Sequence, residues 1–128
     1  MTVVLDSGAV SGLAGQRARL EELRRRGEWP PLVPAVVLTE SLTGDHRRDF
    51  HANRLLRACV IRPVDELLAR AGAVLRTAAS AARSPSAVDA VVVAMADAAG
   101  GGVVLTTDPR DLRALARHTR HDVHVGTV

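Results

Sequence analysis

Four acidic residues occupy places where carboxylates could do chemistry together. Asp6 ends the apolar run Thr2-Val3-Val4-Leu5, Glu40 lies downstream of Pro34-Ala35, Asp89 stands in Ser86-Ala87-Val88-Asp89, and Asp108 follows Val103-Val104-Leu105-Thr106-Thr107. If one site holds all four, they repel: at about 4 Å and an effective dielectric near 20, each like-charged pair costs on the order of 4 kcal/mol. Hard divalent cations such as Mg²⁺ or Mn²⁺ accept all-oxygen ligand sets and relieve that repulsion. One or two of them can activate a water and stabilise the leaving oxygen of a phosphodiester, so the chemistry to expect is phosphoryl hydrolysis. Two of the acids also have ordinary helix-start roles open to them: Ser86-x-x-Asp89 has the form of a capping box, and Asp108-Pro109-Arg110-Asp111 that of an N-cap followed by a first-turn proline. Asp6 and Glu40 have fewer such explanations.

The elements that must position these acids follow from punctuation and periodicity. Strands are expected at 2–5, 32–35, 60–64, 103–106 and, weakly, 123–125. Helices are expected at 9–13, 16–26 (ending near Gly27, with Ala18, Leu20 and Leu23 as its apolar stripe), 36–42, and 47–57 with Phe50, Leu55 and Leu56 inward. Further helices are expected at 65–83, stopped by Ser84-Pro85, then 86–99, ended by Gly100-Gly101-Gly102, and 109–118. Strands alternating with helices imply an α/β class: a three-layer α/β/α sandwich on a parallel sheet of four to five strands, one domain over 1–128. Functional groups of such sheets collect at the carboxyl ends of the strands. Asp6 and Asp108 follow the first and fourth strands, and Glu40 follows the second. The helix at 86–99 runs into the amino end of the fourth strand, so its own start, with Asp89, must lie at the carboxyl edge. Connectivity alone brings the four acids to one edge.

Composition is compatible with this. The 47% apolar content is almost wholly aliphatic, with one Trp, one Phe and no Tyr, which suits buried parallel strands and leaves no aromatic platform for stacking bases. All 17 basic residues are Arg, and the net charge of +3 would become +7 with the four acids neutralised, a balance that favours a polyanionic partner. Cys59 is a lone cysteine in an apolar run, so no internal disulfide is expected. With neither a leader nor a membrane-length apolar run, a cytoplasmic protein is expected.

In order and spacing, Val4-Leu5-Asp6-Ser7, Pro34-Ala35 followed by Glu40, Val88-Asp89-Ala90 and Leu105-Thr106-Thr107-Asp108 resemble the PIN domain. The length and Asp111-Leu112 resemble the VapC-type toxins of bacterial toxin–antitoxin pairs. The resemblance implies a PIN-like sheet ordered 3-2-1-4-5 and a Mg²⁺- or Mn²⁺-dependent endoribonuclease that leaves 5′ phosphates. It also implies inhibition by a cognate antitoxin, and a homodimer or toxin–antitoxin hetero-oligomer. By position, Asp6, Glu40, Asp89 and Asp108 match the acidic quartet of catalysis and metal binding, with Ser7, Thr106 and Asp111 as supporting residues. Gly8 departs from the pattern, which commonly has a small polar residue there.

Arg47 and Arg48, with Arg24, Arg25, Arg26, Arg54 and Arg57 more loosely, could contact RNA phosphates. His118-x-x-His121-x-x-His124 reads as a solvated tail, Asp97 as surface, and the triple glycine as a helix terminator. A phospho-receiver domain is disfavoured because no lysine is present, and a nucleotide-binding loop because no Gly-Lys-Ser/Thr motif is. The remaining alternatives are a PIN-like RNA-binding or regulatory subunit without turnover, and a solitary PIN nuclease without antitoxin.

Overall fold

A computed structural model describes residues 1–128. Five parallel strands form one sheet in the order β3-β2-β1-β4-β5: β1 (Val3–Leu5), β2 (Leu32–Pro34), β3 (Val60–Arg62), β4 (Gly102–Thr106) and β5 (Val123–Thr127). This is the PIN-like topology the resemblance implied. The central strand β1 is buried throughout, as an all-aliphatic run covered on both faces must be. It pairs with β4 as Val3 with Val103, Val4 with Val104 and Leu5 with Leu105. That register sets Asp6 beside the end of β4, and the Asp6 N–H continues the ladder by donating to the Leu105 carbonyl at 3.3 Å.

Seven helices flank the sheet: α1 (Ser7–Leu13), α2 (Arg17–Arg25), α3 (Leu38–Ser41), α4 (Phe50–Arg57), α5 (Glu66–Ala79), α6 (Ala87–Ala98) and α7 (Arg110–Ala116). The core joins Val4, Leu5 and Val104 of the sheet to Val10 and Leu13 of α1, Val92, Val93 and Ala96 of α6, and Leu112 and Leu115 of α7. No helix is long and apolar enough to cross a membrane.

The elements differ from the sequence reading mainly at their ends. The segment after β2 begins as a 3-10 turn over Ala35–Val37 and becomes α-helical only at α3. The helix expected at 47–57 starts at Phe50, because Asp49 is spent on the preceding loop: its carboxylate accepts from the Thr43 and Gly44 N–H groups and the Thr43 hydroxyl. Phe50, expected inward, is 52% exposed. The helix expected to reach residue 83 ends at Ala79, where Ala82 and Arg83 both donate back to the Ala79 carbonyl in a tightening turn. The glycine run ends α6 as expected and does more besides. Gly102 has φ +154, and a Cβ there would meet the Thr2 carbonyl, so only glycine lets β4 start this close to the strand beside it. β5 is longer than expected and pairs with β4 along its whole length.

A candidate acidic active site

The carboxyl edge of the sheet gathers the end of β1, the start of α3, the start of α6 and the turn between β4 and α7. Asp6 is the N-cap of α1, its Oδ1 accepting from the Ala9 N–H at 2.7 Å. Its Oδ2 accepts from the hydroxyl of Thr106, the last residue of β4, at 2.5 Å. Only 7% of Asp6 is exposed. Burial raises its pKa above the ordinary aspartate value, against the Thr106 and Ala9 hydrogen bonds that favour the anion, and the nearby Glu40 charge raises it further. The sequence offered Asp6 few structural duties, yet it is both a helix cap and the partner of a buried hydroxyl. Neither duty conflicts with a chemical role.

Asp89 lies in the first turn of α6, where its backbone N–H donates to the Ser86 hydroxyl at 3.1 Å. The expected capping relation is present, with Ser86 doing the capping. The Asp89 carboxyl is also raised, first by burial and then by the charges of Asp6, Asp111 and Glu40, against the Ser86 hydroxyl. Glu40 is exposed on the short helix α3. Asp89 thus feels Asp6, Glu40 and Asp111, and Asp6 feels Glu40.

Asp108 stands slightly apart. It is exposed, and Pro109 rather than Asp108 opens α7, with no side-chain cap. The N-cap role open to Asp108 in the sequence is therefore not taken up. It is tied to the edge through its backbone: the Thr106 hydroxyl accepts from the Asp108 N–H at 3.1 Å while donating to Asp6. One buried hydroxyl thereby fixes the relation between the first and last acids. Asp111, in the first turn of α7, pairs with the Arg83 guanidinium, and Asp111 and Asp108 together raise the Arg83 pKa, against slight burial.

Ser7 opens α1 and is half-buried. Gly8, the departure from the expected pattern, packs against the opposite loop: a Cβ there would collide with the Thr107 hydroxyl and lie 3.2 Å from the Thr107 nitrogen. Arg47 and Arg48 are exposed in the turn before α4, their N–H groups donating to Asp45. The three histidines form no metal cluster, and His121 pairs with Asp97. Asp97, expected to be idle surface, accepts from the Arg120 and His121 N–H groups and ties α6 to the turn before β5.

Sequence reasoning passed over Arg83 and Asp49, and read Asp97 only as surface. A signal existed for Arg83: the connectivity that places Asp89 at the carboxyl edge also places the Arg83-Ser84-Pro85-Ser86 turn there. Asp49 and Asp97 bind backbone groups of loops whose path no periodicity reveals.

The donors at this edge are all carboxylate oxygens, the kind that suits a hard divalent ion; Asp6 is buried and Asp89 half-buried, a cost that a cation would offset. The residues fit such an ion in kind. In this arrangement no three of them approach closely enough to form a finished ligand cage.

No protein-family model and no curated protein matches the sequence. Solved structures do match over nearly the whole chain. DNA-bound VapBC from Salmonella typhimurium is 12% identical with a TM-score of 0.73, covering 99% of this chain and 98% of that one. VapBC2 from Rickettsia felis, bound to a DNA fragment from its promoter, is 13% identical with a TM-score of 0.73, covering 100% and 99%. FitAcB from Neisseria gonorrhoeae is 20% identical with a TM-score of 0.68, covering 97% and 96%. The likeness is one of fold, and it is the fold that the resemblance to VapC-type PIN proteins implied.

Proposed function

We propose that the chain is a single-domain, cytoplasmic endoribonuclease that hydrolyses RNA phosphodiesters with Mg²⁺ or Mn²⁺, and the toxin of a toxin–antitoxin pair. One observation carries the reading most: Asp6 and Asp89, 83 residues apart in sequence, are both desolvated at the carboxyl edge of one sheet, where each feels Glu40. Capping and the Thr106 hydroxyl account for the place of Asp6, but neither calls for half-buried Asp89 and the Glu40 charge beside it. A site built to receive a cation does.

In this reading Asp6, Asp89, Glu40 and Asp108 hold the ion. A divalent cation at such an edge supplies charge neutralisation and Lewis acidity to a phosphodiester under attack by water. The chain's own residues fix the geometry. The Ala9 N–H and the Thr106 hydroxyl each hold one Asp6 oxygen, and the Ser86 cap sets the first turn of α6. Exposed Glu40 and Asp108 stand on the side open to substrate. Arg47 and Arg48 are candidates for backbone phosphates of RNA. The partner half of the reading draws on exposed apolar groups: Leu67 and Val74, one heptad apart on α5, are 79% and 69% exposed, and Phe50 is 52% exposed. Such groups suit a covering antitoxin or a second copy. The antitoxin proposal comes from the resemblance to VapC-type toxins, and the likeness in fold to VapBC and FitAcB supports it.

The reading is tested by incubating purified chain with total RNA and Mn²⁺ and mapping new 5′ phosphate ends. Cleavage should disappear with EDTA and with Asp6→Asn or Asp89→Asn. Cleavage unchanged by all three would overturn it. A non-catalytic RNA-binding or regulatory role is supported if RNA is bound but never cut. A short upstream frame encoding a DNA-binding protein would separate the toxin from a solitary PIN nuclease.

A further inference from the structure

We propose that Arg83 is the site's own counter-cation, competing with a divalent ion for the acidic edge through its pairing with Asp111, and so setting the ion concentration at which the edge loads. The inference rests on the metal-dependent reading above and adds to it a residue that sets its threshold.

Three features of the structure point to Arg83. Its ion pair is unlike the other arginine pairs, each of which joins residues three or four apart on one helix, within the stretches Glu21–Arg26 and Glu66–Arg70. The Arg83 pair spans 28 residues and ties the α5–α6 turn to the first turn of α7. The turn that presents Arg83 is also held on both sides. The Arg83 N–H donates to the Ala79 carbonyl at 3.1 Å, and Arg76 Nε donates to the carbonyl of buried Pro85 at 2.9 Å. The guanidinium is thus delivered to the edge by a fixed backbone.

The third feature is the state of the acids. No three of them form a cage, and Asp111, whose charge reaches Asp89, is engaged by Arg83. The two side chains are 45% and 35% exposed, and a pair that wet is weak enough to exchange for a stronger partner. An arriving divalent ion meets a positive charge that must be displaced or tolerated, and displacing it frees Asp111 for the other acids.

The test is calorimetric titration of Mn²⁺ into the full chain in the absence of RNA, comparing wild type, Arg83→Gln, Arg83→Lys and Asp89→Asn, each checked for native circular dichroism. Loss of the competing charge should tighten Mn²⁺ binding roughly tenfold in Arg83→Gln, the size expected for one unit charge several ångströms from a divalent ion in a largely aqueous setting. The charge-conserving Arg83→Lys should stay near wild type, and the gap should narrow in high salt. Equal or weaker binding by Arg83→Gln overturns the proposal. If Asp89→Asn abolishes binding while Arg83→Gln matches wild type, the role of Arg83 falls and the metal-dependent reading stands. If neither wild type nor Arg83→Gln binds millimolar Mn²⁺, both fall.

Discussion

The Thr106 hydroxyl donates to Asp6 Oδ2 at 2.5 Å, joining residues 100 positions apart, and accepts from the Asp108 N–H at 3.1 Å. With only 1% of Thr106 exposed, water cannot replace the lost partner. Thr106→Val keeps shape and removes both bonds, leaving a buried carboxyl oxygen and an amide short of partners. The expected loss is about 1–3 kcal/mol in denaturant unfolding, together with a clear fall in RNA cleavage. Thr106→Ser should recover much of both. Wild-type stability and cleavage in the valine variant would show that the hydroxyl does not organise the acids.

Asp89 should trade stability for function. Its folded pKa lies above the unfolded value because burial, and then the charges of Asp6, Asp111 and Glu40, penalise its ionised form. The native state therefore holds this proton more tightly than the unfolded chain. Stability is greatest below the ordinary aspartate range and declines as pH rises through the folded pKa. At neutral pH the ionised group is a net cost, so Asp89→Asn should unfold at a higher denaturant midpoint, by about 0.5–2 kcal/mol, while losing cleavage. The stability gap between the two proteins should close as pH falls toward 4. A variant less stable than wild type at pH 7 would contradict this balance.

Much of this edge was legible in the sequence because parallel topology is legible. Aliphatic runs ended by Asp6 and by Thr107-Asp108 announce strands with acids at their carboxyl ends, and the glycine run that feeds β4 fixes the direction of α6 and with it the place of Asp89. What stayed hidden depends on side chains meeting across the sheet edge. Nothing in the spacing of Thr106 tells that its hydroxyl serves Asp6, and Arg83 looks like one more helix-end arginine until Ala79 closes α5 early. Asp49 shifts the start of α4 for the same reason: a carboxylate that binds a loop backbone leaves no periodic trace.

Gly8 fills a close approach rather than a missing polar contact. A Cβ at this position meets the Thr107 hydroxyl and crowds the Thr107 nitrogen at 3.2 Å, so Gly8→Ala should turn the Thr107 side chain and ease α1 from the β4–α7 turn that carries Asp108, costing about 1–3 kcal/mol. Removing the obstacle should restore the fit: Thr107→Ala in the Gly8→Ala background is expected to recover most of that loss, with strong non-additivity in a double-mutant cycle of thermal unfolding. Additive effects would place the cost of Gly8→Ala elsewhere.

Asp97 should show the opposite pH behaviour to Asp89. Burial alone would raise its pKa, but the His121 and Arg120 N–H groups and the His121 imidazole together outweigh burial and hold it below the ordinary value. A carboxyl lowered in the folded state contributes stability above its unfolded pKa and loses it as pH falls through the folded one. Asp97→Asn keeps the shape, gives up the charge-assisted bonds to the turn before β5, and should cost about 1–3 kcal/mol at neutral pH. Because wild type loses the same contribution on protonation, the two unfolding curves should converge well below pH 4. The local signature is faster amide exchange at Arg120 and His121, which pair with Asp97 rather than with any strand. RNA cleavage should be little changed, since Asp97 sits late on α6, at the opposite end of that helix from Asp89. A deficit that persists unchanged into acid would mean that Asp97 acts through packing and not through its charge.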